Sequence, residues 1–196
     1  MAAIAISPEV ESKISDGSHD GEGQACKFYF VGSQHGIKLY RRKGIRDNMF
    51  LLQRFFSNFG FCPKVCNQID VGGKFGFVTE LCDIMDSICC EYDKIVPTVP
   101  GGPWYEKIAH KKYSSQVYEL EKQIQKTFPF IRVYDSHGGN FGLNYETNEL
   151  NFVDVGHWEM QDGKGHWLRL EDMDMEELLE SFDFHGYDLR EENGGA

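Results

Sequence analysis

The stretch "IRVYDSHGGNFGLNYETNELNFVDVGHW" (131–158) decides the fold. It sets Asp135, His137, Asn140 and Asp154 between short apolar runs, with Gly138, Gly139 and Gly156 among them. The runs around 131–134, 141–144 and 150–153 predict short strands. Asp135 and Asn140 are five positions apart, and Asp154 follows fourteen later. A short hairpin between Asn140 and Asp154 would bring the acceptors together on separate strand ends. Asp, Asn and Gly are also the commonest turn formers, so the chemistry depends on what the rest of the chain supplies.

Upstream, residues 1–15 read as mobile, and "SDGSHDGEGQ" (15–24) as a glycine-rich, turn-rich stretch. "ACKFYFV" (25–31) and "GIKLYRR" (36–42) predict a hairpin through "GSQH". On the second strand, Lys38 shares a face with Gly36 and Tyr40, opposite Ile37 and Leu39. A helix is expected over 46–60, capped by Asp47, buried through Met49, Leu52 and Phe56, and stopped by Gly60. "KVCNQIDV" and "KFGFVTELC" follow as strands around Gly72 and Gly73. From Asp83 the character changes to helix and loop. The proline-rich "IVPTVPGGPW" (95–104) must be irregular. Residues 105–128 predict the longest helix, with Tyr113, Val117, Leu120, Ile124 and Phe128 on one face. Residues 170–182 predict an amphipathic helix buried through Met175, Leu178, Leu179 and Phe182. The chain is therefore strand-rich first and helix-rich second, with a seam near 80–83.

Composition narrows the function classes. At 196 residues the chain holds one core or one domain with two small lobes. A net charge of −11 argues against nucleic-acid binding, because phosphates would be repelled. No run approaches the ~18 apolar residues of a membrane span. The N-terminus lacks a basic start followed by an apolar core, so an intracellular, cytoplasmic protein is expected. The acidic segment 170–192 reads as a solvated helix face. A zinc site would pair Cys62 and Cys66 with Cys89 and Cys90, but adjacent cysteines are poor ligands for one tetrahedral ion. Buried free thiols are the better reading.

The pattern Asp135-x-His137-x-x-Asn140, followed by Asp154 beside a glycine, resembles the protein-kinase-like superfamily. It is most similar to the aminoglycoside-phosphotransferase-like branch. Other features follow in the family's order. Lys38 in "GIKLY" resembles the third-strand lysine that meets nucleotide phosphates. "DGSHDGEG" (16–23), with Gly21 and Gly23, occupies the place of the nucleotide-covering loop. "FVTELCD" (77–83) resembles the hinge, where the backbone of Glu80, Leu81 and Cys82 would meet adenine with Thr79 behind it.

The resemblance implies an α+β, compact kinase-like two-lobe fold. Residues 1–82 would form an N-terminal antiparallel sheet with one helix, and residues 83–196 a reduced helical C-terminal lobe. It implies ATP- and Mg²⁺-dependent transfer of phosphate to a hydroxyl of a small-molecule or protein acceptor. Asp135 would be the catalytic base, Asn140 and Asp154 the metal ligands, and Lys38, Gly21, Gly23, Glu80 and Cys82 the nucleotide contacts. Such chemistry is mostly positioning and charge neutralisation. His137 is expected to shape its loop, and Trp158 to pack beneath the site. Two departures support a second reading, a nucleotide-binding pseudokinase acting by protein interaction. Gln53 stands where the family's helix glutamate pairs with the lysine, and Val133 stands where the loop carries a histidine. If Gln53 replaces that glutamate, Gln53→Glu should not harm nucleotide binding, and an ion pair with Lys38 would improve it.

Overall fold

A computed structural model of the chain describes residues 4–22, 26–84, 108–134 and 139–190. It is mixed α+β, with antiparallel sheets and, among the described residues, four helices. Five strands form the first sheet in the order β1-β2-β3-β5-β4. They are β1 (Gly21–Glu22), β2 (Cys26–Val31), β3 (His35–Tyr40), β4 (Val65–Val71) and β5 (Lys74–Glu80). The β4–β5 turn uses Gly72 and Gly73 at φ 56° and 71°, the left-handed pair that a two-residue hairpin of the right twist requires.

Strand alternation gives this sheet two apolar faces, each with its own cover. Ile37, Leu39, Val78 and Tyr29 bury against α1 (Pro8–Asp16) through Val10 and Ile14, with Ile4 and Ile6 packed alongside. Tyr40 and Phe77 bury on the opposite face, against Met49, Leu52 and Phe56 of α2 (Lys43–Ser57). The expectation that residues 1–15 are mobile is therefore corrected from residue 4 onward. Ser7 caps α1, its hydroxyl accepting from the Val10 amide at 3.4 Å, and Pro8 fits the first helical turn. The Asp47 cap is also corrected. α2 starts earlier, after Arg42, and Asp47 instead accepts from Arg46 Nε at 2.6 Å.

β6 (Cys82–Ile84) does not begin a helical region. It pairs with β8 (Phe141–Asn144), which pairs with β9 (Leu150–Phe152). The residues around the expected seam are thus stitched into the later hairpin. A third sheet joins β7 (Ile131–Arg132), β10 (Glu159–Gln161) and β11 (Trp167–Arg169) in the order β11-β10-β7. α3 (Ile108–Thr127) buries Val117 and Ile124. α4 (Met175–Phe184) begins later than expected, at an Asp174–Glu177 capping box, and buries Leu178 and Phe182. Met173, ahead of the cap, is buried, while Met175 is half-buried. Phe55, Phe56, Phe128, Phe130, Phe182 and Trp158 join these helices and α2 in one core. Among the described residues no helix is long and apolar enough to cross a membrane.

Candidate functional site

Six separated stretches converge on one cleft of about 410 Å³. Asp20 and Gly21 come from the glycine-rich stretch, Cys26, Phe28 and Phe30 from β2, and Lys38 from β3. Thr79, Glu80 and Cys82 come from the β5–β6 passage, Gly139 and Asn140 from before β8, and Val153 and Asp154 from after β9. Of the positions singled out from sequence, Lys38, Gly21, Glu80, Cys82, Asn140 and Asp154 all face this space. Asp135 and Gly23 lie outside the described residues, as do His137, Cys89, Cys90 and Trp104.

Lys38 is 8% exposed and is the only lysine or arginine among the described residues lining the cleft. Its amine donates to Gln53 Oε1 at 3.0 Å and to the carbonyl of Val153. The first bond locates the lysine against α2, and the second ties β3 to the segment that carries Asp154. Gln53 is itself 3% exposed. Its Nε2 donates to Thr79 Oγ1 at 2.6 Å and to the Pro63 carbonyl at 3.0 Å, and Thr79 passes its own proton to the Lys64 carbonyl at 3.0 Å.

An uncharged amide accepts from the lysine with one end and, having two N–H groups, donates twice with the other. Those two donations give Gln53→Glu a cost in stability, separate from the expectation about nucleotide binding. Gln53→Glu places a carboxylate oxygen against the Pro63 carbonyl and leaves Thr79 with two acceptors to serve. An unmet buried group costs roughly 1–3 kcal/mol, more than a pairing with Lys38 returns after desolvation. Urea unfolding should show that loss, and a variant as stable as the parent would refute the two-ended role of Gln53.

Asn140 and Asp154 are drawn together by backbone, the Val153 amide donating to the Asn140 carbonyl at 2.8 Å. Asp154 is exposed, and its Oδ1 accepts from the Gly156 amide at 3.0 Å. A side chain at Gly156 would crowd this carboxylate, since its Cβ would sit 3.3 Å from Asp154 Oδ1 and 3.4 Å from Glu171 Oε2. The amide oxygen of Asn140 and the carboxylate of Asp154 are hard donors of the kind Mg²⁺ accepts. Among the described residues no three His, Cys, Asp or Glu side chains gather as a closed ligand set. The donors present fit an ion that keeps water and substrate oxygens, not a protein cage.

Sequence reasoning missed the polar scaffold behind the cleft. Glu80, 9% exposed, accepts through Oε2 from the Lys64 amide at 3.1 Å and from Asn144 Nδ2 at 2.9 Å. Asn144 also donates to Asn151 Oδ1 at 3.3 Å, and Asn151 donates to the Gly60 carbonyl at 2.9 Å. This chain fixes the end of β5 to the β8–β9 hairpin and to the turn after α2. Its signal was present in "GLNYETNELNF", where Asn144 and Asn151 stand in strand positions and only Asn148 is a turn residue.

The Leu81 expectation is corrected as well. Its amide donates to the Gln34 carbonyl and its carbonyl accepts from the Tyr145 amide, at 2.9 and 3.1 Å. Burial pushes the Cys82 thiol up to about 12 and raises Cys26 as well. Both cleft thiols therefore stay protonated at neutral pH and are poor nucleophiles. Cys26, Cys62, Cys66 and Cys82 are all free thiols. Trp158 is 1% exposed and packs on Phe56 and Phe152 in the main core. No protein-family model and no curated protein matches the chain.

Proposed function

We propose that this chain is a kinase-like phosphotransferase that uses Mg·ATP and a hydroxyl acceptor, with the cleft lying between an N-terminal lobe (1–82) and a reduced C-terminal lobe (83–196). The observation that carries this reading is the convergence of Gly21, Lys38, Glu80, Cys82, Asn140 and Asp154 on one cleft from distant parts of the chain. Turn-forming residues chosen only for local geometry have no reason to meet a buried lysine.

In this mechanism Lys38 donates from the cleft wall to the polyphosphate, where charge-assisted bonds are strong. Asn140 and Asp154 offer the oxygens that hold Mg²⁺. The ion, when bound, supplies charge neutralisation of the phosphates. Asp135, assigned from the family pattern, orients the acceptor hydroxyl and takes its proton. The acceptor is a small molecule or a protein.

One observation favours a second reading, a nucleotide-binding pseudokinase. Among the described residues, Lys38 rests on neutral oxygens where the family's pattern has a carboxylate.

A thermal-unfolding titration tests nucleotide binding in either reading. At one hundred times its dissociation constant, Mg·ATP should add about 2.7 kcal/mol of apparent stability. Asp154→Asn should remove most of the Mg²⁺-dependent part and keep the rest. A parent that responds to ATP neither with nor without Mg²⁺ removes both readings. A variant that responds like the parent removes the metal assignment alone.

A further inference from the structure

The geometry points to base recognition by an aromatic face without reading of the base edge, so that the cleft takes purine nucleotides of either kind. This rests on the nucleotide reading above. Phe28 is half-buried on β2, lines the cleft, and stands directly across from Lys38 in the antiparallel register. Its ring occupies the space a side chain would take at Gly36. A Cβ there would lie 2.1 Å from the ring's Cζ and 2.7 Å from its Cε2. Gly36 is therefore what allows the ring to reach across β3 into the cleft. Phe30 meets it edge-on, with centroids 5.6 Å apart, and is itself 51% exposed while lining the same space. An apolar ring beside the phosphate-facing lysine offers a flat surface to any base, because every base has a π-face.

Edge reading needs polar groups held ready for the base. Among the described residues at this end of the cleft, three sets of such groups are already engaged by the protein. The Thr79 hydroxyl lies between Gln53 Nε2 and the Lys64 carbonyl. The Glu80 carboxylate takes the Lys64 amide and Asn144. The Leu81 amide and carbonyl are spent on Gln34 and Tyr145. Sites that hydrogen-bond a substrate reject analogues by several powers of ten, whereas apolar surfaces discriminate weakly.

Isothermal titration of the full chain with Mg·ATP, Mg·GTP and Mg·tripolyphosphate tests this. ATP and GTP should bind within about ten-fold of one another. Phe28→Ala should weaken both by roughly 5- to 150-fold and leave tripolyphosphate unchanged. Phe28→Tyr should retain affinity for both nucleotides. Should the alanine variant unfold, Phe28→Leu keeps apolar bulk without a ring and carries the same expectation. Three outcomes overturn the inference and leave the nucleotide reading standing. They are GTP binding weaker than ATP by more than roughly a hundred-fold, a Phe28→Ala or Phe28→Leu variant that binds ATP as well as the parent or better, and loss of affinity in Phe28→Tyr. Tripolyphosphate binding as tightly as ATP also overturns it, since the base then contributes nothing. A parent that binds none of the three removes the nucleotide reading and this inference together.

Discussion

Asp135→Asn should cut ATP turnover about 10²–10⁴-fold, the usual worth of a general base, and leave Mg·ATP binding nearly unchanged. Asparagine keeps the size and most of the hydrogen bonding of aspartate but cannot take a proton. Binding is assigned to other groups, chiefly Lys38, Asn140 and Asp154, which line the cleft. Without a known acceptor, slow hydrolysis serves as the readout, with water standing in for the hydroxyl. A parent with clear Mg·ATP binding and no turnover above background would establish the pseudokinase. Equal turnover in parent and variant would make Asp135 a turn residue and place any activity elsewhere.

The second large effect is expected at Arg46, which no motif marked. It is 3% exposed, and its guanidinium bridges α2 to the β4–β5 hairpin. NH1 donates to the Ile69 and Gly76 carbonyls at 3.2 and 3.0 Å and to Asp70 at 3.1 Å. Asp70 contributes the lesser share, because it is 61% exposed and exposed pairs are worth little. The carbonyls dominate, since each buried acceptor left unmet costs roughly 1–3 kcal/mol. Arg46→Met keeps the aliphatic stem and removes every donor, so a loss of about 3 kcal/mol is expected. For a chain of this length that corresponds to a melting point lower by roughly 6–12 °C. A loss below about 1 kcal/mol would show that water or backbone adjustment meets those carbonyls.

The central hairpins and helices were legible because their signals are long or strongly punctuated. "CKFYFV" and "HGIKLY" are β-rich runs of six around a short loop, and they became β2 and β3. Gly72 and Gly73 fixed the next hairpin. α3 was read from a face spanning about four turns, and among the described residues Val117, Ile124 and Phe128 are buried as the period required, with Leu120 half-buried. What escaped notice was short or polar. α1 has nine residues and only two buried positions, too few for a period to emerge. β10 and β11 are three residues each, too short for an alternation of apolar and polar residues to emerge.

At the site, sequence supplied the chemical groups but not their further partners. Gln53 could be placed beside Lys38 by counting along the helix. Its two donations to Thr79 and Pro63 depend on how β5 and the turn after α2 come together, which no local pattern encodes. The same holds for Glu80, whose carboxylate is fixed by an asparagine sixty-four positions away.

The resting partners of Lys38 have a consequence for the conditions under which the cleft keeps its shape. A lysine paired with glutamate loses its partner when acid protonates the carboxylate. Among the described residues the acceptors of Lys38 are an amide and a peptide carbonyl, and neither titrates anywhere in the range a folded protein survives. The tether between β3, α2 and the Asp154 segment is thus indifferent to acidity. It is also shallow, because neutral oxygens hold a cation less tightly than an anion does. On the proposed nucleotide reading, an arriving phosphate need only displace two dipoles, and no ion pair of the lysine among the described residues has to break first.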